Sequence, residues 1–186
     1  MTTEVLIVVA IRLIVPVTIL RWPFVGALLS LIVDALDIIL IQLLDLGGVG
    51  DYQRLDKYLD MYYLTLAAVV AQSWPSLPRW TANVLYGYRM VGVVLFEATN
   101  VRVLLFVFPN LFESFFLFCL IVQTFFPNYL LSPRRAAFWL VVLLIPKMAQ
   151  EYVIHYARLL DNLVAVDIIE DVGRTVIDWF GDRAGR

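Results

Sequence analysis

Six aspartates fall between Val33 and Leu64: Asp34, Asp37 and Asp45 inside an apolar run, then Asp51, Asp56 and Asp60 just beyond a glycine-rich break. Asp34 and Asp37 are three residues apart and Asp56 and Asp60 four apart, so on helices each pair shares a face. Asp45 follows Asp34 by eleven residues, about three helical turns, and joins that face. The break "LGGVGD" is short enough to make the flanking helices antiparallel neighbours. Both acidic faces can then point into one pocket. Four carboxylates meeting there, from Asp34, Asp37, Asp56 and Asp60, repel one another unless a cation lies between them. Oxygen ligands of this kind suit magnesium, manganese or calcium, and near a membrane surface such a site is suited to gripping a diphosphate. The plainer reading makes Asp51 and Asp56 solvated helix caps and pairs the deeper aspartates with Arg12 or Lys147. Against that stands the rule that an intramembrane carboxylate is a functional-site hypothesis by default.

The elements that must position these groups are membrane helices. Hydrophobic residues make up 62% of the 186, charged residues 16%, and mean hydropathy is +0.84, where a soluble domain is nearer half apolar and a quarter charged. At about 20 apolar residues per span, the chain holds about six short-looped spans. They read as Val5 to Leu20, Phe24 to Leu46, Leu55 to Gln72, Trp80 to Ala98, Arg102 to Phe126 and Ala136 to Arg158, with Pro109 kinking the fifth and Pro146 inside the sixth. Residues 161–186 alternate Leu163, Val166, Ile169, Val172, Val176 and Trp179 with acidic residues, the pattern of an amphipathic helix. Its acidic polar face is a poor match for anionic lipid, so it packs on the bundle or on a second subunit, which makes a homodimer a candidate assembly. The expected fold is therefore all-α: a polytopic membrane bundle over residues 1–160 and an amphipathic tail over 161–186.

Six spans put both termini on one side. With them fall Arg54, Lys57, Arg102, Arg158, Arg174, Arg183 and Arg186, against Arg21, Arg79, Arg134 and Arg135 on the other, which favours cytoplasmic termini. Trp22, Trp74, Trp80 and Trp179 fall near span ends, as in an interfacial belt. A net charge of -2 leaves no basic surface for nucleic acid. Single Cys119 and single His155 exclude a disulfide within the chain and a multi-histidine or thiolate metal cluster.

The later spans carry charge as well. Arg89 and Glu97 share a face of the fourth; Arg102, Asn110 and Glu113 share one of the fifth; Lys147, Glu151 and His155 are spaced four and four on the sixth. Each charge at the bilayer centre costs about 2.5–3.5 kcal/mol on insertion scales, so these groups are paired or line a wet cavity. Singly they read as pairs, Arg89 with Glu97 and Lys147 with Glu151. As a set they read as a polar cavity whose cations, Arg12, Arg89, Arg102 and Lys147, hold substrate phosphates.

"DALD" (Asp34, Asp37) and "DKYLD" (Asp56, Asp60), on the second and third spans of six, resemble the paired aspartates of the CDP-alcohol phosphatidyltransferases, and "RLIVP" (Arg12 to Pro16) is similar to the arginine and proline of that family's first span. The likeness covers about the first third of the chain. It implies Asp34, Asp37, Asp56 and Asp60 as ligands for Mg2+ or Mn2+, and Asp60 as the base that takes the acceptor hydroxyl's proton. Ile38 stands where the family has glycine, Ile41 and Gln42 where it has Ala-Arg, and Gly50 is displaced. The metal half of the signature is kept and the nucleotide half is not. The expected function is a divergent membrane phosphotransferase acting on a lipid or polyol hydroxyl, with a lipid or nucleotide-diphosphate substrate. The alternatives are an ion or small-molecule transporter or channel, and an inactive scaffold of the same fold.

Overall fold

The computed structural model describes the backbone of residues 3–43, 49–101 and 103–152 and the side chains of residues 6–36, 55, 57–101, 103–150 and 152. Among the described residues the chain is helical, with no strand. The amphipathic tail expected over 161–186 lies outside them.

Helix α1, Thr3–Ile14, runs straight into a 3-10 stretch, Val15–Leu20. Pro16 is the cause. It has no N–H for the Arg12 carbonyl, and its ring clashes with that carbonyl in an α-helix. The first expected span is thus two geometries end to end. The carbonyl of Leu13 is met from outside, by the Tyr62 hydroxyl at 3.1 Å. After the turn at Arg21 and Trp22, α2 spans Pro23–Leu43 and α3 spans Val49–Ala71. Helix α3 begins inside the glycine-rich segment, six residues before the expected Leu55.

Helix α4, Ser76–Thr99, ends on Asn100, whose left-handed φ of 56° and N–H bond to the Phe96 carbonyl close it. The expected fifth span is broken at Pro109 into α5, Val103–Val107, and α6, Leu111–Phe125. A polar Ser132 cap opens α7, Pro133–Glu151, which continues through Pro146.

Helix α6 runs through the core. Phe112, Phe115 and Phe116 are fully buried and meet Ile19, Ala27, Leu64, Ala67, Ala71 and Trp74 from the first half of the chain. Small residues let the backbones approach closely, as in membrane-helix pairs. At Gly26 the 3-10 backbone at Ile19 occupies the space a methyl group would need. The outside is the apolar side: Leu6 and Ile14, Val25 and Leu28, Val84 and Val94, Val141 and Ile145 are all exposed. A surface this continuous in aliphatic side chains needs an apolar medium or a covering partner. One described stretch, Val103–Phe125, is long and apolar enough to cross a bilayer, with mean hydropathy 2.1; Leu6–Leu20 and Pro23–Leu36 are apolar but shorter.

The Gly26 contact gives a stability test. Gly26→Ala should destabilise by about 1–3 kcal/mol, the range for overpacking. Gly87 on α4 has nothing within 4 Å of where a methyl would stand, so Gly87→Ala should stabilise by about 0.5–1 kcal/mol through helix entropy. Denaturant midpoints of both variants under the same solution conditions check the opposite signs.

Candidate functional site

Arg12 lies in the last turn of α1 with only 5% of its side chain exposed. Its Nη2 donates to the carboxylate of Asp34 on α2 and to that of Asp60 on α3, the latter at 2.8 Å. One guanidinium therefore ties the first three helices together. Pro16 fixes the backbone just beyond Arg12, and Tyr62, two residues after Asp60, holds the Leu13 carbonyl. The cation is thus held from both sides of its own position in the chain.

Arg12, Asp34 and Asp60 line a cavity of about 60 Å3, room for a few waters at ~10–15 Å3 each. Tyr63, Asn110 and Glu113 close it from α3 and α6, with buried Ser30 on α2 beside them. Asn110 caps α6: its Oδ1 accepts from the Glu113 N–H at 3.4 Å, and its Nδ2 donates to Glu113 Oε2 at 2.9 Å. From α7, Lys147 Nζ stands 3.9 Å from that same Oε2 and donates to Gln150 at 3.1 Å. The described charges in and beside the cavity are two cations, Arg12 and Lys147, and three carboxylates, Asp34, Asp60 and Glu113, a sum of -1 when all are ionised.

The structure brings together some of the residues singled out in the sequence and separates others. Asp34 and Asp60 share the cavity, and both are paired with Arg12. The side chains of Asp37 and Asp56, and all of Arg102, lie outside the described residues. Arg89 does not line the cavity and does not meet Glu97. Its Nη1 donates to the Phe108 carbonyl at 2.8 Å, next to the Val107 carbonyl that accepts from Tyr88 at 2.7 Å. These carbonyls lie where α5 ends and no following helical N–H reaches back to them. Glu97 instead faces Lys57 at 4.0 Å, and Lys57 lies 3.6 Å above the Phe96 ring. Lys147 reaches across to Glu113 on α6; the side chain of Glu151 lies outside the described residues.

Sequence reasoning missed Tyr63. It is 9% exposed, its hydroxyl is buried without a hydrogen-bond partner, and it lines the cavity. The signal was available, since Tyr63 follows Asp60 by three residues and shares its helix face.

Among the described residues no three carboxylate, histidine or cysteine side chains gather closely enough to hold a metal ion. Asp34 and Asp60 present oxygen to Arg12, so a divalent ion between them would share those ligands with the guanidinium or displace it. Comparison with known protein families, with curated proteins and with solved structures finds no match.

Removing the shared cation leaves two facing carboxylates. Arg12→Gln should destabilise by about 2–3 kcal/mol, less than a fully buried pair because both aspartates are partly exposed. Combining it with Asp60→Asn should recover about 1–2 kcal/mol as coupling energy in a double-mutant cycle. Additive effects in denaturant unfolding would mean that the contact carries no energy.

Proposed function

We propose that the chain is a polytopic integral membrane protein of about six spans with cytoplasmic termini, and that its carboxylate cavity performs metal-dependent phosphotransfer to a lipid or polyol hydroxyl. The membrane reading is supported by the hydrophobic composition together with the exposed aliphatic side chains of α1, α2, α4 and α7. The observation that carries the enzymatic reading is the convergence of Asp34 from α2 and Asp60 from α3 on one cavity, the placement implied by the resemblance to CDP-alcohol phosphatidyltransferases. In this reading Asp34, Asp37 and Asp56 hold Mg2+ or Mn2+, which would neutralise a donor diphosphate and its leaving group. Asp60 takes the proton of the acceptor hydroxyl, and Lys147 beside Glu113 offers charge to a phosphate.

A second reading, an inactive scaffold of the same fold, is favoured by one observation. Arg12 already supplies Asp34 and Asp60 with the positive charge that a metal would bring.

Release of CMP from a CDP-alcohol by the purified protein separates the two. Phosphotransfer predicts Mg2+-dependent release that stops on chelation. Asp60→Asn should abolish release and keep part of the Mn2+ binding, while Asp37→Asn should lose both. Ile38 and Gln42 remove the small and cationic residues that the family places around the nucleotide, so CDP-alcohol affinity should be weak, on the order of millimolar. Tight Mg2+-dependent binding in titration calorimetry would show the ordinary family donor to be the substrate. No release from folded protein at saturating donor rules out CDP-alcohols as donor and leaves another activated phosphate or the inactive scaffold.

A further inference from the structure

A second cavity, of about 250 Å3, lies between the α3–α4 turn and the α6–α7 turn and shares no residue with the Arg12 cavity. Its wall is mostly apolar: Pro75, Leu77, Phe118, Cys119, Val122 and Leu131. Voids of ~150 Å3 with such walls stay dry and admit apolar guests. This one is smaller than the ~300–1,000 Å3 pockets that enclose a drug-sized ligand, so it suits part of a hydrocarbon chain.

Arg135 sets a cation against two wall residues, Tyr129 and Leu130, and two more arginines are near in the chain: Arg79 directly follows Pro78 of the wall, and exposed Arg134 follows the loop that supplies Tyr129 and Leu131. Arg135 is fixed there, donating to the Leu130 carbonyl at 2.9 Å and lying 5.1 Å over the Tyr129 ring. With Arg21 in the α1–α2 turn, these are the charged side chains of the described turns and adjoining first helical turns at this end. No carboxylate occurs in residues 14–33, 61–96 or 114–150. The N-termini of α4 and α7 open at the same end and add partial positive charge.

We propose that this cavity binds an anionic phospholipid, with one acyl chain entering the apolar wall and the headgroup phosphate lying against Arg134, Arg135 and Arg79. Guanidinium groups bind phosphate oxygens in paired, charge-assisted hydrogen bonds. A zwitterionic lipid brings the same phosphate together with its own cation, so the arginine rim distinguishes the two. This site is independent of the phosphotransfer reading and survives if that reading fails.

The full chain, delipidated in detergent, is offered phosphatidylglycerol and phosphatidylcholine of identical acyl chains, and retained lipid is counted by native mass spectrometry. The expected preference for phosphatidylglycerol is on the order of ten- to a hundredfold. Replacing Arg79, Arg134 and Arg135 together by glutamine should bring it close to unity. Val122→Trp, which fills the cavity, should reduce retention of both lipids, and Cys119 on the wall should react more slowly with N-ethylmaleimide when phosphatidylglycerol is bound. Equal retention of the two lipids, an unchanged preference in the arginine variant, or protection of Cys119 by glycerol phosphate as strong as by the lipid would overturn the proposal.

Discussion

The Arg12 guanidinium is the charge around which the first half of the molecule is arranged. A cation this deeply buried is tolerable only when its donors are used and its charge is balanced. Here the balance comes from Asp34 and Asp60 on two other helices. Much of the nearby backbone follows from that need. The 3-10 stretch after Pro16 turns the chain so that α2 can approach closely enough for Gly26 to touch Ile19. Helix α3 lies where Asp60 can reach Arg12 while Tyr62, on the next part of the same helix, takes the Leu13 carbonyl. Pairing the aspartates with a side chain offsets the repulsion that would otherwise push α2 and α3 apart.

A second constraint is set by Pro109. It ends α5 after five residues and leaves carbonyls at Val107 and Phe108 without helical donors. In an apolar medium each would cost several kcal/mol if unmet. Tyr88 and Arg89 on α4 supply the donors, and Asn110 restarts the helix as the cap of α6. The same restart aims Asn110 and Glu113 into the Arg12 cavity. A helix break, ordinarily a liability in an apolar environment, thereby turns two polar side chains toward the charged cluster, and Lys147 on α7 meets one of them.

The sequence made some of this legible and hid the rest for identifiable reasons. Apolar run lengths and turn residues located most described helix ends to within four positions, though α3 begins six residues early, and the expected kink at Pro109 is a full break between α5 and α6. That Asp34 and Asp60 would face one pocket followed from their spacing on neighbouring helices. What spacing along one helix could not show is which cation on another helix answers a given carboxylate. Arg89 and Glu97 share a face, yet Arg89 is drawn away by the orphan carbonyl of Phe108 and Glu97 meets Lys57. Pairs within a helix are worth only ~0.2–0.5 kcal/mol, so a tertiary partner with an unmet hydrogen bond wins. Tyr63 was overlooked because a tyrosine on an apolar helix reads first as core. Its significance comes from the unpartnered hydroxyl, which only the fold reveals.

Charge is also divided along the length of the bundle. The described carboxylates lie in the cavity and toward the end where α2 meets α3, while at the opposite end the α1–α2 turn carries Arg21 and the first turns of α4 and α7 carry Arg79, Arg134 and Arg135 without a compensating acid. Arginines in a turn or in the first turn of a helix can keep their charge in water, where it costs little. Carboxylates placed within helices cost much more and must be answered by specific partners, which is why Arg12 and Lys147 appear where they do. The two ends therefore obey different electrostatic rules. At the arginine end charge is held at the surface and is available to anything anionic that arrives. In the cavity charge is matched internally, so any chemistry performed there has to begin by displacing or sharing Arg12. A ligand able to compete for Asp34 and Asp60 must bring at least the positive charge that the guanidinium now provides, and this sets the threshold that separates an active metal centre from a structural knot.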